Sequence, residues 1–214
     1  MWCAKVFIMT KLQQFGIVPI DSSILKSVFT DYGFPANKIL QLEHNGSLIR
    51  LKRGLYTVSP ETSGQALSLE LIANHLYGPS YVSMETALRF HGLIPERVFE
   101  VKSMTTKRGR QFENELSRFT YIEIPSEYYP IGISQVTSNQ TFLIATPEKA
   151  LCDLIAYTKG LRIQSLKAMH VYLEEDIRFD TAALTDFDAA LIRQCATLGK
   201  KSNELTILLK LLKS

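Results

Sequence analysis

Cysteine is scarce in this chain of 214 residues: Cys3, Cys152 and Cys195 are odd in number, far apart and form no CxxC pair. That argues against a disulfide framework or a cysteine-ligated zinc site and fits a reducing, cytoplasmic setting. Histidine is equally sparse. His44, His75, His91 and His170 are scattered, with no HExxH and no spacing that would gather them round a metal. A GxSxG elbow, a Walker phosphate loop and a dinucleotide-binding glycine pattern are all missing. Cys152 falls beyond the first turn of a predicted helix, with nothing local to lower its thiol pKa. No catalytic residue, metal ligand or cofactor is therefore expected. No apolar run approaches the roughly eighteen residues that a membrane span needs, so no membrane partner is expected. The opening residues also have too short an apolar run for a secretory signal, and Met1 and Met9 stand as alternative starts.

What is present is ordinary globular composition, with 46% hydrophobic and 21% charged residues. A chain of this length can bury roughly 70% of its unfolded surface, as one large domain or two small ones. The net charge of +3 permits an acidic partner without demanding one. There are no internal repeats or low-complexity tracts.

The most informative stretch is residues 34–58. Pro35 suits the first position of a helix, and Asn45-Gly46 suits its end. At about 100° per residue, Asn37, Lys38, Gln41 and His44 fall on one side, with Ala36, Ile39, Leu40 and Leu42 roughly opposite. Glu43 lands among the apolar positions, against the pattern. After Gly46 the period becomes two: Leu48, Arg50 and Lys52 alternate with Ile49 and Leu51, Arg53-Gly54 turns, and residues 55–58 run back. This reads as the recognition helix and wing of a winged helix. Asn37, Lys38, Gln41 and His44 would face base edges in a major groove, and Arg50, Lys52 and Arg53 would reach flanking phosphates. The plain alternative is an amphipathic helix and hairpin with solvated charges. Lys38, Arg50, Lys52 and Arg53 against Glu43 make +4 − 1 = +3, a modest basic patch.

Around this stretch, helices are expected over 5–16, ending at Gly16, and over 22–30, capped by Asp21. Residues 59–64, rich in Ser, Pro and Gly, read as a linker. The pattern thus predicts an α+β chain: a winged helix-turn-helix domain over 1–60, then a mixed α/β domain over 65–214 that ends in helices. In that second part, helices are expected over 65–77, 84–91, 147–157, 164–174 and 181–198, with a last one capped by Ser202 that presents Leu205, Leu208, Leu209 and Leu212. Residues 81–83 read as short and extended. Strands are expected over 98–104, 119–124 and 131–136, with Lys107, Arg108 and Arg110 crowding the loop between the first two.

One fragment resembles enzyme chemistry. Glu100-Val101-Lys102 lies on a predicted strand, and an upstream acid, Glu85 or Glu96, could join it to hold a divalent metal beside a phosphate. Such a metal-dependent nuclease is an alternative; the plainer one is a solvent-facing edge of alternating charge.

Three segments carry a family resemblance. Residues 46–56, Gly-Ser-Leu-Ile-Arg-Leu-Lys-Arg-Gly-Leu-Tyr, resemble the wing signature of the AbiEi-type antitoxins of type IV toxin–antitoxin systems. Residues 81–93, Tyr-Val-Ser-Met-Glu-Thr-Ala-Leu-Arg-Phe-His-Gly-Leu, are similar to that family's central motif, and residues 145–154, Ala-Thr-Pro-Glu-Lys-Ala-Leu-Cys-Asp-Leu, to its third landmark. Their order and spacing match over residues 11–160. The resemblance implies a phage-defence antitoxin without catalytic activity. Its winged helix would bind inverted repeats in its own promoter as a repressor, through the residues named above. Its second domain would counter a cognate nucleotidyltransferase-like toxin, often without a stable complex. The loop with Lys107, Arg108 and Arg110 is a candidate antitoxin or second basic surface. So small a patch would need a dimer or a cooperative pair on DNA for useful specificity. The other alternative is a winged-helix regulator whose second domain senses a signal or binds a partner.

Overall fold

Two sheets, each with helices packed on it, give the chain an α+β architecture. The structure, a computed structural model, describes residues 9–95, 99–137 and 140–212. Cys3, residues 5–8 of the first expected helix, Glu96 and the start of the strand expected at Val98 lie outside them.

The first part holds a helical stretch α1 over 9–13 and a short strand β1 (Ile20–Asp21). Helices α2 (Ser22–Val28) and α3 (Pro35–His44) follow, then strands β2 (Leu48–Lys52) and β3 (Leu55–Val58). Asp21 caps α2 by accepting a 2.7 Å bond from the Ser23 amide. α3 begins at Pro35 and ends where Gly46, at φ +75°, takes the left-handed conformation open to glycine. The Ser47 amide then returns to the Leu42 carbonyl at 2.9 Å. The strands are antiparallel in the order β1-β3-β2, with a register shift between Arg50 and Lys52. Leu12, Ile20, Leu25, Phe29, Ile39, Leu42, Leu48, Tyr56 and Val58 form one buried cluster.

The expected linker is a short helix instead, α4 (Pro60–Ser63), because Pro60 starts a turn that Gly64 closes at φ +71°. The next helix, α5 (Leu69–Leu76), starts later than expected, since the Ser68 hydroxyl caps the Leu71 amide at 3.1 Å. Strand β4 (Ser80–Val82) and helix α6 (Met84–Phe90) fall where their patterns place them.

Five further strands follow: β5 (Glu100–Thr105), β6 (Arg110–Glu113), β7 (Arg118–Glu123), β8 (Ile133–Thr137) and β9 (Thr141–Ala145). With β4 they form a six-stranded sheet in the order β6-β7-β5-β4-β9-β8. It is mixed: β5 runs parallel to β7 and β4 to β9. The sequence pattern does not predict strands β6 and β9. Phe112 is the one apolar residue of β6, an edge strand that the sheet supplies rather than its own pattern.

Helix α7 (Pro147–Tyr157) starts at the expected Thr146 cap and is buried along most of its length. Helix α8 (Leu166–Val171) runs into a π-turn at Tyr172–Asp176. The single helix expected over 181–198 is broken in two. Asp180 and Asp188 each cap a new start, giving a tight 3₁₀ turn at Thr181–Asp186 and helix α9 (Ala189–Leu198). α10 (Ser202–Leu211) is not capped by Ser202. Its cap residue is Lys201, at φ +55°, whose Nζ donates to the Ile155 and Thr158 carbonyls at 3.0 and 2.6 Å and so closes the end of α7. Leu205 and Leu208 of α10 are buried, and Leu209 and Leu212 pack partly against the same core.

This larger core also takes in Ile17 and Leu51 from the first part. Polar bonds reinforce the junction: Lys52 Nζ to the Leu76 carbonyl at 2.6 Å, and Asn114 Nδ2 to the Leu51 carbonyl at 3.1 Å.

Candidate nucleic-acid interface

Helix α3 buries Ile39 and Leu42, which fixes the direction of its inner face. Asn37, Gln41 and His44 are exposed on the other side, and Lys38 is half-buried at the flank. Lys38 Nζ donates to Gln41 Oε1 at 2.9 Å and lies 5.2 Å from the centre of the Tyr32 ring. Two apolar positions depart from expectation: Ala36 is exposed, and Leu40 is 55% exposed. The inward direction falls between Ile39 and Leu42, so Leu40, about 100° beyond Ile39, swings outward.

Glu43, the misfit of the helical pattern, faces the hairpin. Its Oε1 lies 3.6 Å from Arg50 Nη1, so the salt bridge ties the last turn of α3 to strand β2. Arg50 is therefore already paired, which sequence spacing does not reveal. Lys52 is diverted further. Its bond to the Leu76 carbonyl and its position 5.7 Å from the Phe112 ring turn it into the junction between the two parts. Burial, with help from the nearby Arg110 and Lys107 charges, holds its ammonium below the usual lysine range. The expectation that Lys52 reaches outward from the wing is thus corrected. Arg53 stands exposed beside Gly54 at φ +81°, and no described residue pairs with it.

Lys107, Arg108 and Arg110 are exposed, but Arg110 opens strand β6 and does not sit in a loop. Lys107 Nζ donates to the Gly78 carbonyl at 2.5 Å. The Arg108 carbonyl accepts from the Tyr77 hydroxyl at 3.2 Å. The Arg110 guanidinium lies 5.0 Å from the centre of the Phe112 ring. Lys107 and Arg110 join Lys52, Arg53 and His75 around one cleft of about 550 Å³ that no carboxylate lines. The fold thus gathers residues 50 or more positions apart into one cationic surface beside the hairpin. On the other side of the hairpin, Glu113 and Glu115 line a hollow with Arg50 and Arg53. The positive field is therefore directional: it is strongest at Arg110, where β6 begins, and weakens toward Glu113 at its end and Glu115 beyond.

No family model matches the chain, and no curated protein is detectably similar to it.

For the enzyme alternative, the fold does bring Glu85 and Lys102 together, with Oε1 and Nζ at 2.8 Å. The Glu100 carboxylate accepts from the Thr120 hydroxyl. Lys102 compensates the Glu85 charge, and no three His, Cys, Asp or Glu side chains among the described residues converge as metal donors. Glu96, the other acid of that alternative, lies outside the described residues. No described helix is long and apolar enough to cross a membrane.

Proposed function

We propose that residues 9–58 form a winged helix that binds duplex DNA, and that the chain is an AbiEi-type antitoxin and autorepressor. The observation that carries this is the outer face of α3. Asn37, Gln41 and His44 project uncovered from a short helix, beside a hairpin whose tip arginine, Arg53, has no described partner. Amide and imidazole groups there can meet base edges in a major groove, and Arg53 can meet a phosphate. The order of three helical segments and a three-stranded antiparallel sheet agrees with this role.

The antitoxin role is supported by the three sequence motifs. Its partners would be inverted repeats in its own promoter and a nucleotidyltransferase-like toxin, countered with or without a stable complex. With Arg50 and Lys52 engaged within the fold, a single copy has few free cations for phosphate, so tight binding calls for a dimer or a cooperative pair on paired half-sites.

Two measurements test the proposal. The full chain is titrated by fluorescence anisotropy against a duplex from upstream of its own coding sequence, and it is co-expressed with the neighbouring gene. Selective binding and restored growth are expected. Equal affinity for the upstream duplex and random DNA, together with no rescue, would overturn it.

A further inference from the structure

Leu40 sits in an unusual setting for a 55% exposed leucine. On the α3 wheel it lies between Ala36 on one side and His44 and Asn37 on the other, near the middle of the outer face. All of these neighbours are exposed, and no described residue covers the face. Single exposed leucines are common. What singles this one out is its position in a row of hydrogen-bonding groups, on the helix proposed above to enter the major groove. In that groove, thymine alone of the four bases presents a methyl group. An aliphatic side chain with Ala36 on one side and the His44 and Asn37 hydrogen-bonding groups on the other suits a step where one base offers its methyl and its neighbour offers a polar edge.

Resting on the DNA-binding reading, we infer that Leu40 is a specificity-determining residue that reads a thymine by packing against its C5 methyl group. Ala36 widens the same apolar spot toward the hairpin side, while Asn37, Gln41 and His44 take adjacent edges. Cytosine at that step would place its amino group against Leu40 without a partner, which disfavours it.

The test begins with duplexes selected from a random-sequence library by the full chain. Each thymine of the enriched site is then replaced singly by deoxyuridine, which removes only the methyl group. One thymine per half-site is expected to show a loss of about fourfold, the weight of one buried methyl group. Leu40→Ala should lose a similar factor on the thymine duplex and become indifferent to that methyl, whereas Leu40→Met should keep the sensitivity. Because Leu40 is outside the core, both variants should melt with the parent chain, so a binding change is not a folding change. Tolerance of deoxyuridine at every position, or an undiminished methyl effect in Leu40→Ala, would overturn the inference while leaving DNA binding intact. Failure to enrich any site would remove the DNA reading itself, and the inference with it.

Discussion

Lys149 and Asp153, one turn apart on α7, form an ion pair with both side chains at 0% exposure, Nζ lying 3.4 Å from Oδ1. The carboxylate is fully engaged. Tyr128 donates to Oδ1 at 2.7 Å, and Tyr81 and Ser83 donate to Oδ2 at 3.0 and 2.6 Å. Lys149 Nζ donates to the Tyr128 carbonyl at 3.2 Å and lies 3.0 Å from the centre of that ring. Burial, reinforced by the Asp153 charge, pushes the Tyr81 and Tyr128 hydroxyls well up, which keeps them protonated as donors. Two of the three sequence motifs therefore meet at one buried polar centre that joins β4 to α7.

Removing one partner of a buried pair leaves the other charge uncompensated. Asp153→Ala is expected to destabilise the chain by about 3–5 kcal/mol in urea unfolding. Lys149→Met should cost less, because three hydroxyl donors still serve the carboxylate. A loss below about 1 kcal/mol for Asp153→Ala would mean that the network contributes little to stability.

The two ends of the proposed DNA surface should behave differently. Arg53→Ala is expected to weaken binding on all sequences alike and to flatten the salt dependence by about one phosphate's worth. Gln41→Ala should relax discrimination at a single base pair, at about 1–3 kcal/mol. Equal losses for both variants on selected and random duplexes would reverse these roles.

Glu43 holds Arg50 beside α3 and adds a negative charge to the surface that would face phosphate. Glu43→Gln should release the guanidinium and raise DNA affinity several-fold at low salt, with the gain shrinking as salt is added. Losing this partly exposed ion pair should cost at most about 1 kcal/mol of stability. An affinity equal to or below that of the parent chain would refute this account.

His75, at the exposed rim of the basic cleft, has its pKa held below the usual histidine value by partial desolvation of its ring. Above that value the imidazole is neutral in both folded and unfolded chains and contributes no pH dependence. As pH falls through it, the unfolded chain takes up the proton more readily, so stability drops. His75→Gln should unfold with a shallower loss between pH 7 and 5 than the parent chain, these being roughly the bounds of histidine titration. Parallel curves for the two proteins would show that His75 does not contribute.

The sequence by itself determined the local structure of the first part. Pro35, the Asn45-Gly46 stop and the Arg53-Gly54 turn act through backbone geometry within a few residues, and α3 and its hairpin stand where those signals put them. The same holds for α7, whose cap and proline are adjacent in the chain. Tertiary structure alone decided which charges are free. Lys52 is spent on the Leu76 carbonyl, Arg50 on Glu43, and Lys107 and Arg110 are drawn to the hairpin by a sheet whose edge strand β6 has almost no pattern of its own. Such pairings depend on long-range packing, which a periodicity of two or 3.6 residues does not encode. Leu40 makes the same point, because its outward direction was set by how deeply Ile39 and Leu42 sink into the small core.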